Sequence, residues 1–334
     1  MWTVPPSDMQ HGWSAPCLLP SQIGEQRRQR GGQAEQGEGV EIMWDELNKK
    51  AIDLFQSGKL DEAIETGNEA LEVAETEYGP HDARVARSLN NLAEMYRAKA
   101  RYEKAIPLWE RALEIREKEL GSDHPDVATS LNNLAGAFFE QGRFEDARPL
   151  FNRSLKVLEK SLGSDHPDVA TCLDNLAALH RALERYPAAK PLYERALNIR
   201  EKAFGPDHPE VGVALNNLAG LYEVLERYAD AEPLYRRSLG IAEKAFGPDH
   251  PHVASTVGNL AGTLVGLRKY DEAEELFVRA KTIIGRIFGE SHPFYVSVLD
   301  NLIEFYEGVG KQGKAEKLRH RAAKIRSAWS SHFH

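Results

Sequence analysis

Cysteine is almost missing from this chain: 334 residues contain only Cys17 and Cys172, far apart in segments of different character. Two such thiols build neither a disulfide framework nor a zinc site, and Cys172 is expected to pack as a small buried side chain. Long apolar runs are missing too. No stretch approaches the roughly 18 consecutive apolar residues that a membrane-crossing helix needs. The first twenty residues hold no basic cluster and no sustained apolar run, and Pro5, Pro6, Pro16 and Pro20 interrupt them, so no secretory signal is read there. A soluble, cytoplasmic chain without membrane insertion is the expectation. Positive charge is in deficit, 42 basic against 51 acidic residues. Phosphate backbones and anionic lipid would on average repel the chain, so nucleic acid is not an expected partner. The phosphate-cradling Gly-x-x-x-x-Gly-Lys-Ser/Thr loop does not occur, since Gly310-Lys311 is followed by Gln312. No nucleophile, base and oxyanion donors fall together, so neither catalysis nor a cofactor is expected.

What the chain has is a period. Gly79, Gly121, Gly163, Gly205, Gly247 and Gly289 stand 42 residues apart, a spacing that signals stacked supersecondary units. Gly-Ser-Asp-His-Pro follows at Gly121 and Gly163, Gly-Pro-Asp-His-Pro at Gly205 and Gly247, and Gly-Glu-Ser-His-Pro at Gly289. The first junction departs, reading Gly79-Pro80-His81-Asp82. Each junction reads as a helix stop on a left-handed glycine and a helix start in which proline fits the first turn. Asp126, Asp168 and Glu210 then place an acid at the positive end of the helix dipole.

Between junctions, Leu131, Leu134, Ala135 and Phe138 recur at helical spacing, as do Leu215, Leu218, Ala219 and Tyr222. After the break at Gln141-Gly142-Arg143, residues Phe144, Ala147, Leu150, Phe151, Leu155, Leu158 and Leu162 trace a longer second stripe. One helical pair cannot bury its apolar faces, but seven stacked pairs can. The expected fold is all-α, a right-handed superhelical solenoid of about seven helix-turn-helix units over residues 43–328. Residues 1–42 read as a disordered leader and 329–334 as a tail. Pro107, Pro149, Pro191 and Pro233 fall inside the second helix, which should start late or bend there.

The unit Leu-Asn-Asn-Leu-Ala-x-x-Tyr/Phe, then Tyr/Phe-x-x-Ala, then Arg-Ala-Leu-x-Ile-Arg-Glu-Lys, closing on Gly-x-Asp-His-Pro, resembles the 42-residue tetratricopeptide repeats of kinesin light chains. It is also similar to arrays in bacterial signalling proteins. The resemblance spans Trp44 to about Ser327. It does not extend to a motor role, because residues 1–42 show no heptad of the kind that joins light to heavy chains.

The resemblance implies that the first helix of each unit faces a concave groove, and that the asparagine before Leu-Ala reaches a bound extended peptide. That position holds Asn91, Asn133, Asn175, Asn217, Asn259 and Asn301, with Lys49 in the first unit. A carboxamide both donates and accepts, so such a ladder can pair with peptide backbone whatever its side chains. The alternative is that each asparagine bonds a neighbouring helix and spaces the stack. Side-chain choice would come from Arg87, Asn90 and Arg97, from Asn132, from Asp174 and Arg181, and from Asn216. Along the units these positions pass from mixed-basic to acidic, ending on Asp300, Glu304 and Glu307, which would orient a ligand of opposite polarity. Gly136, Gly220 and Gly262 leave room on the groove floor.

The repeated histidines His81, His124, His166, His208, His250 and His292 invite a metal reading, but equivalent residues in stacked units lie too far apart to share an ion, so they read as structural and no metal is expected. His180 and Glu184, one helical turn apart, read as an exposed or groove-facing pair. The basic last helix, with Lys311, Lys314, Lys317, Arg319, Arg321, Lys324 and Arg326, reads as a polar end cap, against the alternative of a surface for acidic partners or membranes. The functional expectation is an adaptor binding a protein or peptide in the groove. The rival is a regulatory subunit that acts through its convex side or loops.

Overall fold

The computed structural model describes residues 34–330. Helices α1 (Ala34–Gln56) and α2 (Leu60–Tyr78) form the first pair, α3 (Ala83–Ala98) and α4 (Tyr102–Leu120) the second, α5 (Pro125–Glu140) and α6 (Phe144–Leu162) the third. Then come α7 (Pro167–Ala182) and α8 (Tyr186–Phe204), α9 (Pro209–Val224) and α10 (Tyr228–Phe246), α11 (Pro251–Gly266) and α12 (Tyr270–Phe288), and finally α13 (Pro293–Gly308) and α14 (Gln312–Ser330). No strand occurs among the described residues. The all-α, seven-pair repeat architecture expected from the 42-residue period is the one found. Two compact units divide the helices, α1 to α7 in one and α8 to α14 in the other.

Packing explains the repeat text. Ala63, Ala105 and Ala147 in the first unit, and Ala189, Ala231, Ala273 and Ala315 in the second, are all 0% exposed. A methyl group is what two closely packed helices leave room for there, and a larger side chain would overpack. In the five middle repeats one large buried ring fills the space beside it: Trp109 and Phe151 in the first unit, Tyr193, Tyr235 and Phe277 in the second; the end repeats carry Gly67 and Arg319 there. Two buried serine hydroxyls find carbonyls, Ser154 Oγ donating to Ala128 O at 2.8 Å and Ser238 Oγ to Gly212 O at 2.7 Å. Cys172 is buried as expected. Its thiol donates to Phe151 O at 3.4 Å and burial pushes its pKa up to about 12.

The junctions are more demanding than the text suggested. Each closing glycine has φ between 83° and 90° with ψ between 155° and 166°. The sign of φ is as expected, but this is an extended, essentially glycine-only region rather than the left-handed helical one. The histidines then cap the next helix: Nδ1 of His124, His166, His208, His250 and His292 accepts the backbone N–H two residues on, at 3.2 to 3.3 Å. That is the N-cap bond usually supplied by Ser, Thr, Asp or Asn. The deviant first junction keeps the function with another residue, Asp82 Oδ1 accepting from Arg84 N at 2.8 Å. His81 is therefore not the counterpart of the other histidines.

Three expectations need correction. The prolines do not delay the second helices, which begin before them at Tyr102, Phe144, Tyr186 and Tyr228. All four prolines are solvent-exposed, so water can satisfy the carbonyl each leaves without a donor. Residues 34–42 belong to α1 rather than to a leader, because adding residues to an existing helix costs little once it is nucleated; the leader's residues 1–33 lie outside the described residues, as do tail residues 331–334. Lastly, His180 and Glu184 are not a helical pair. Helix α7 stops at Ala182, and Glu184 sits in the turn with φ of 56°.

Candidate interaction groove

The asparagines tie successive first helices together. In the unit α1 to α7, Asn91 Nδ2 donates to Asn48 Oδ1 at 3.3 Å, Asn133 to Asn90 at 2.9 Å and Asn175 to Asn132 at 3.0 Å. In the unit α8 to α14, Asn259 donates to Asn216 at 3.2 Å. The two asparagines of Asn-Asn thus have different jobs: the first accepts from the next repeat, the second donates to the previous one. Asn217 stands beside Asn216 on α9, half-buried, with no rung of its own within this unit. Asn301 has no carboxamide to meet 43 residues earlier, because Gly258 stands there.

Asn48 was missed in the sequence because Lys49, not Asn48, occupies the donor position. The signal was present, since Asn48 stands 42 residues before Asn90. Asn48 is buried, and its Nδ2 donates to Trp44 O at 3.0 Å. A carboxamide has two donor hydrogens and an oxygen with two lone pairs, and one rung uses one hydrogen and one lone pair. Spacing the stack therefore leaves the half-buried asparagines with capacity for further bonds.

Around the ladder the two units differ. In the first, Arg87 lies 3.9 Å from Asp45 and over the Trp44 ring. Arg97, at the end of α3, donates through Nε to Glu94 at 3.0 Å and through Nη1 to Glu140 at 2.7 Å. Burial opposes the Arg97 charge, but the two carboxylates outweigh it and raise its pKa. Burial and the nearby Glu140 push Tyr102 up to about 12. Glu140 and Tyr102 were not singled out in the sequence because they sit at the end of a helix and the start of the next, off the stripe of the first helix. Asp174 is buried and Arg181 half-buried on α7.

In the second unit the corresponding positions Val213, Asn216, Gly220 and Glu223 on α9, Ser255, Gly258, Gly262 and Val265 on α11, and Ser297, Asp300, Glu304 and Glu307 on α13 include no base. Tyr235 O–H donates to Glu223 at 2.9 Å, and a Cβ on Gly262 would stand 3.1 Å from the same carboxylate, so glycine makes room for it. Burial and Glu307 raise the pKa of Glu304. Two of the acids are taken by the last helix: Arg326 donates to Asp300 at 2.5 Å, and Arg319 pairs with Glu307. Arg321 pairs with Glu290, and Lys311 and Lys314 with Glu274. The basic helix α14 is thus bound to its own neighbours.

Away from this face, second helices are linked by a Glu-to-Arg ladder. Glu75 pairs with Arg111 at 2.5 Å and Glu117 with Arg153 in the first unit, Glu201 with Arg237 at 2.7 Å and Glu243 with Arg279 at 2.5 Å in the second. Among the described residues, no group of three or more His, Cys, Asp or Glu could hold a metal ion, and no helix is long and apolar enough to cross a membrane.

Known proteins show the same repeat. The tetratricopeptide repeat family matches at residues 46–108, 84–160, 126–202, 175–244 and 210–284. The chain is similar to BtubC from P. vanneervenii, at 25% identity over 69% of this chain and 92% of that one, with a TM-score of 0.59. It is also similar to a putative kinesin light chain with nearly identical repeats from P. anserina, at 26% identity over 62% and 97%, TM-score 0.53. A Rap protein complexed with competence and sporulation factor shares the fold at 16% identity over 86% and 76%, TM-score 0.61. No curated protein matches the chain. With buried alanines, histidine caps and asparagine rungs recurring along the matched residues, the chain belongs to the tetratricopeptide repeat family, whose fold is a protein-interaction scaffold, and its solved neighbours include kinesin-light-chain-like proteins.

Proposed function

We propose that the chain is a non-catalytic adaptor that takes an extended protein segment along the face of its first helices. The asparagine ladder carries this reading: rows of carboxamides are fixed in register by one bond each and keep donor and acceptor capacity toward a ligand backbone. On the second helices, four Glu–Arg pairs join successive repeats, so those side chains are engaged within the array and offer less to a partner on that face. A Rap protein of similar fold is complexed with competence and sporulation factor, which accords with this reading.

Glycines on the face allow a test that spares the fold. A Cβ at Gly136 or Gly258 would meet nothing within 4 Å. Gly136→Trp and Gly258→Trp should therefore fold with unchanged or higher Tm, since glycine is a poor helix former, while obstructing a ligand on the face. Peptides selected against the full chain from a random library should lose about tenfold or more in affinity, or about 1.4 kcal/mol, for at least one variant. Arg153→Ala, on the other face, should leave affinity unchanged. The reverse pattern would overturn the groove reading.

A further inference from the structure

The junction ends of the second helices build a different surface in the unit α8 to α14. Helices α8, α10 and α12 each end on an exposed ring: Phe204, Phe246 and Phe288 are 41%, 43% and 37% exposed. Each ring stacks on the capping histidine of its junction, Phe204 on His208 and Phe246 on His250 at 4.6 Å between centroids, and Phe288 on His292 at 5.0 Å. His252 extends the middle stack, and Phe294, 47% exposed, extends the last. Successive rungs adjoin one another, since Lys244 of the middle rung reaches Asp207 of the first at 3.1 Å and Arg286 of the last reaches Asp249 of the middle at 3.0 Å. The equivalent residues of the unit α1 to α7 are Tyr78, Leu120 and Leu162, where Tyr78 is covered by the Arg84 guanidinium at 4.0 Å.

A ring buries some 150 to 250 Å² when fully covered, so four rings about 40% exposed present roughly 300 Å² of apolar surface. The three rungs stand one repeat apart with the Lys244–Asp207 and Arg286–Asp249 pairs between them, so apolar rings and charges alternate along the ridge, and surfaces of this size are often used for interaction. The exposed ring area is also a large part of the apolar area expected of one side of a standard interface, which buries about 800 Å² per partner.

We infer that this ridge docks a second copy of the chain, antiparallel, about a two-fold axis through the Phe246–His250 rung. The spacing selects that occupant. The rungs recur once per repeat, so a partner engaging all three must present aromatic groups at the same rise, and another copy does so. A two-fold through the middle rung brings Phe246 onto its own counterpart and Phe204 against Phe288 and Phe294, the self-complementary arrangement of an isologous dimer. The flanking charges agree. The same axis sets the Lys244–Asp207 pair opposite the Arg286–Asp249 pair, so each cation finds an anion across the interface.

Light scattering on the full chain at high micromolar concentration should give twice the 37.4 kDa chain mass. Phe246→Glu should return it to a single chain mass with unchanged helical circular dichroism, and Leu120→Glu, at the equivalent place in the other unit, should leave the dimer intact. Disulfide trapping in a Cys17→Ser background fixes the orientation: Phe246→Cys should cross-link to itself, whereas Phe204→Cys should do so only when mixed with Phe294→Cys. A monomeric wild-type chain, a dimer indifferent to Phe246→Glu, such as one held through residues 1–33, or self-cross-linking of Phe204→Cys would each overturn the inference.

Discussion

The unit α1 to α7 and the unit α8 to α14 are written in the same 42-residue text and share the same buried alanines, glycine stops and side-chain caps. They differ where packing makes no demand. The first offers arginines on its first-helix face and aliphatic or shielded side chains at its junctions, the second carboxylates on that face and a stacked aromatic and imidazole ridge at its junctions. The contrast separates two kinds of constraint. Positions that set the geometry of the repeat are held constant from one unit to the other, and positions that face outward have drifted into two different chemistries on one scaffold.

Substitution at the stops should show no difference between the units. Gly163→Ala and Gly247→Ala should each cost about 1 to 3 kcal/mol, because φ near +85° with extended ψ is closed to alanine. Nothing lies within 4 Å of a Cβ at either position, so the cost is purely one of backbone. Chemical denaturation of the two variants checks this. A cost below about 0.5 kcal/mol would show that the junction relaxes into another conformation.

At the caps the units should diverge. His166→Ala removes one N-cap bond and should cost about 0.5 to 2 kcal/mol, with His166→Asn restoring most of it. His250→Ala loses its cap and also the Phe246 stack, so it should exceed His166→Ala by about 0.5 to 1.5 kcal/mol. Equal losses would mean that the aromatic ridge adds nothing to the folded monomer.

The smallest effect belongs to the second unit's acidic surface. Hydrogen bonds from Lys311 and Lys314 hold the Glu274 carboxyl down at about 2. A depressed carboxylate stabilises the fold above its unfolded pKa and loses that contribution as pH falls through its folded one. Glu274→Gln should therefore lower Tm slightly near neutrality, and the gap to wild type should close between about pH 4.5 and pH 2. A gap that persists at the acid end would assign the effect to something other than the ion pair.

How much of this could be read in advance depends on whether local chemistry suffices. The glycine stop, the proline start and the two apolar stripes announced the helical pairs, because backbone preference and periodicity act within a few residues. The capping histidines were recognised as structural without their bond, and His81 was grouped with them because pattern matching overlooked that Asp82 holds the equivalent place. Of the late start or bend expected at the interior prolines, the late start does not occur, for a related reason. Their cost depends on whether the carbonyl left free meets water, and that is set by which side of the helix faces the neighbouring repeat.

The sequence by itself determined the architecture: a fixed period, glycines at each helix stop where φ must be positive, and apolar residues in helical phase leave stacked helical pairs as the way to bury the core. It also placed the asparagines on one helical face. Only the tertiary structure decided what they touch, dividing each Asn-Asn into an acceptor for the next repeat and a donor to the previous one. It likewise joined Arg97 to Glu140, bound α14 to the acids of its neighbours, and gathered Phe204, Phe246 and Phe288 into one exposed ridge. The reason is geometric: contacts between residues some 40 positions apart depend on how repeats stack, and a period states that they stack without stating which side chains the stacking brings within hydrogen-bond reach.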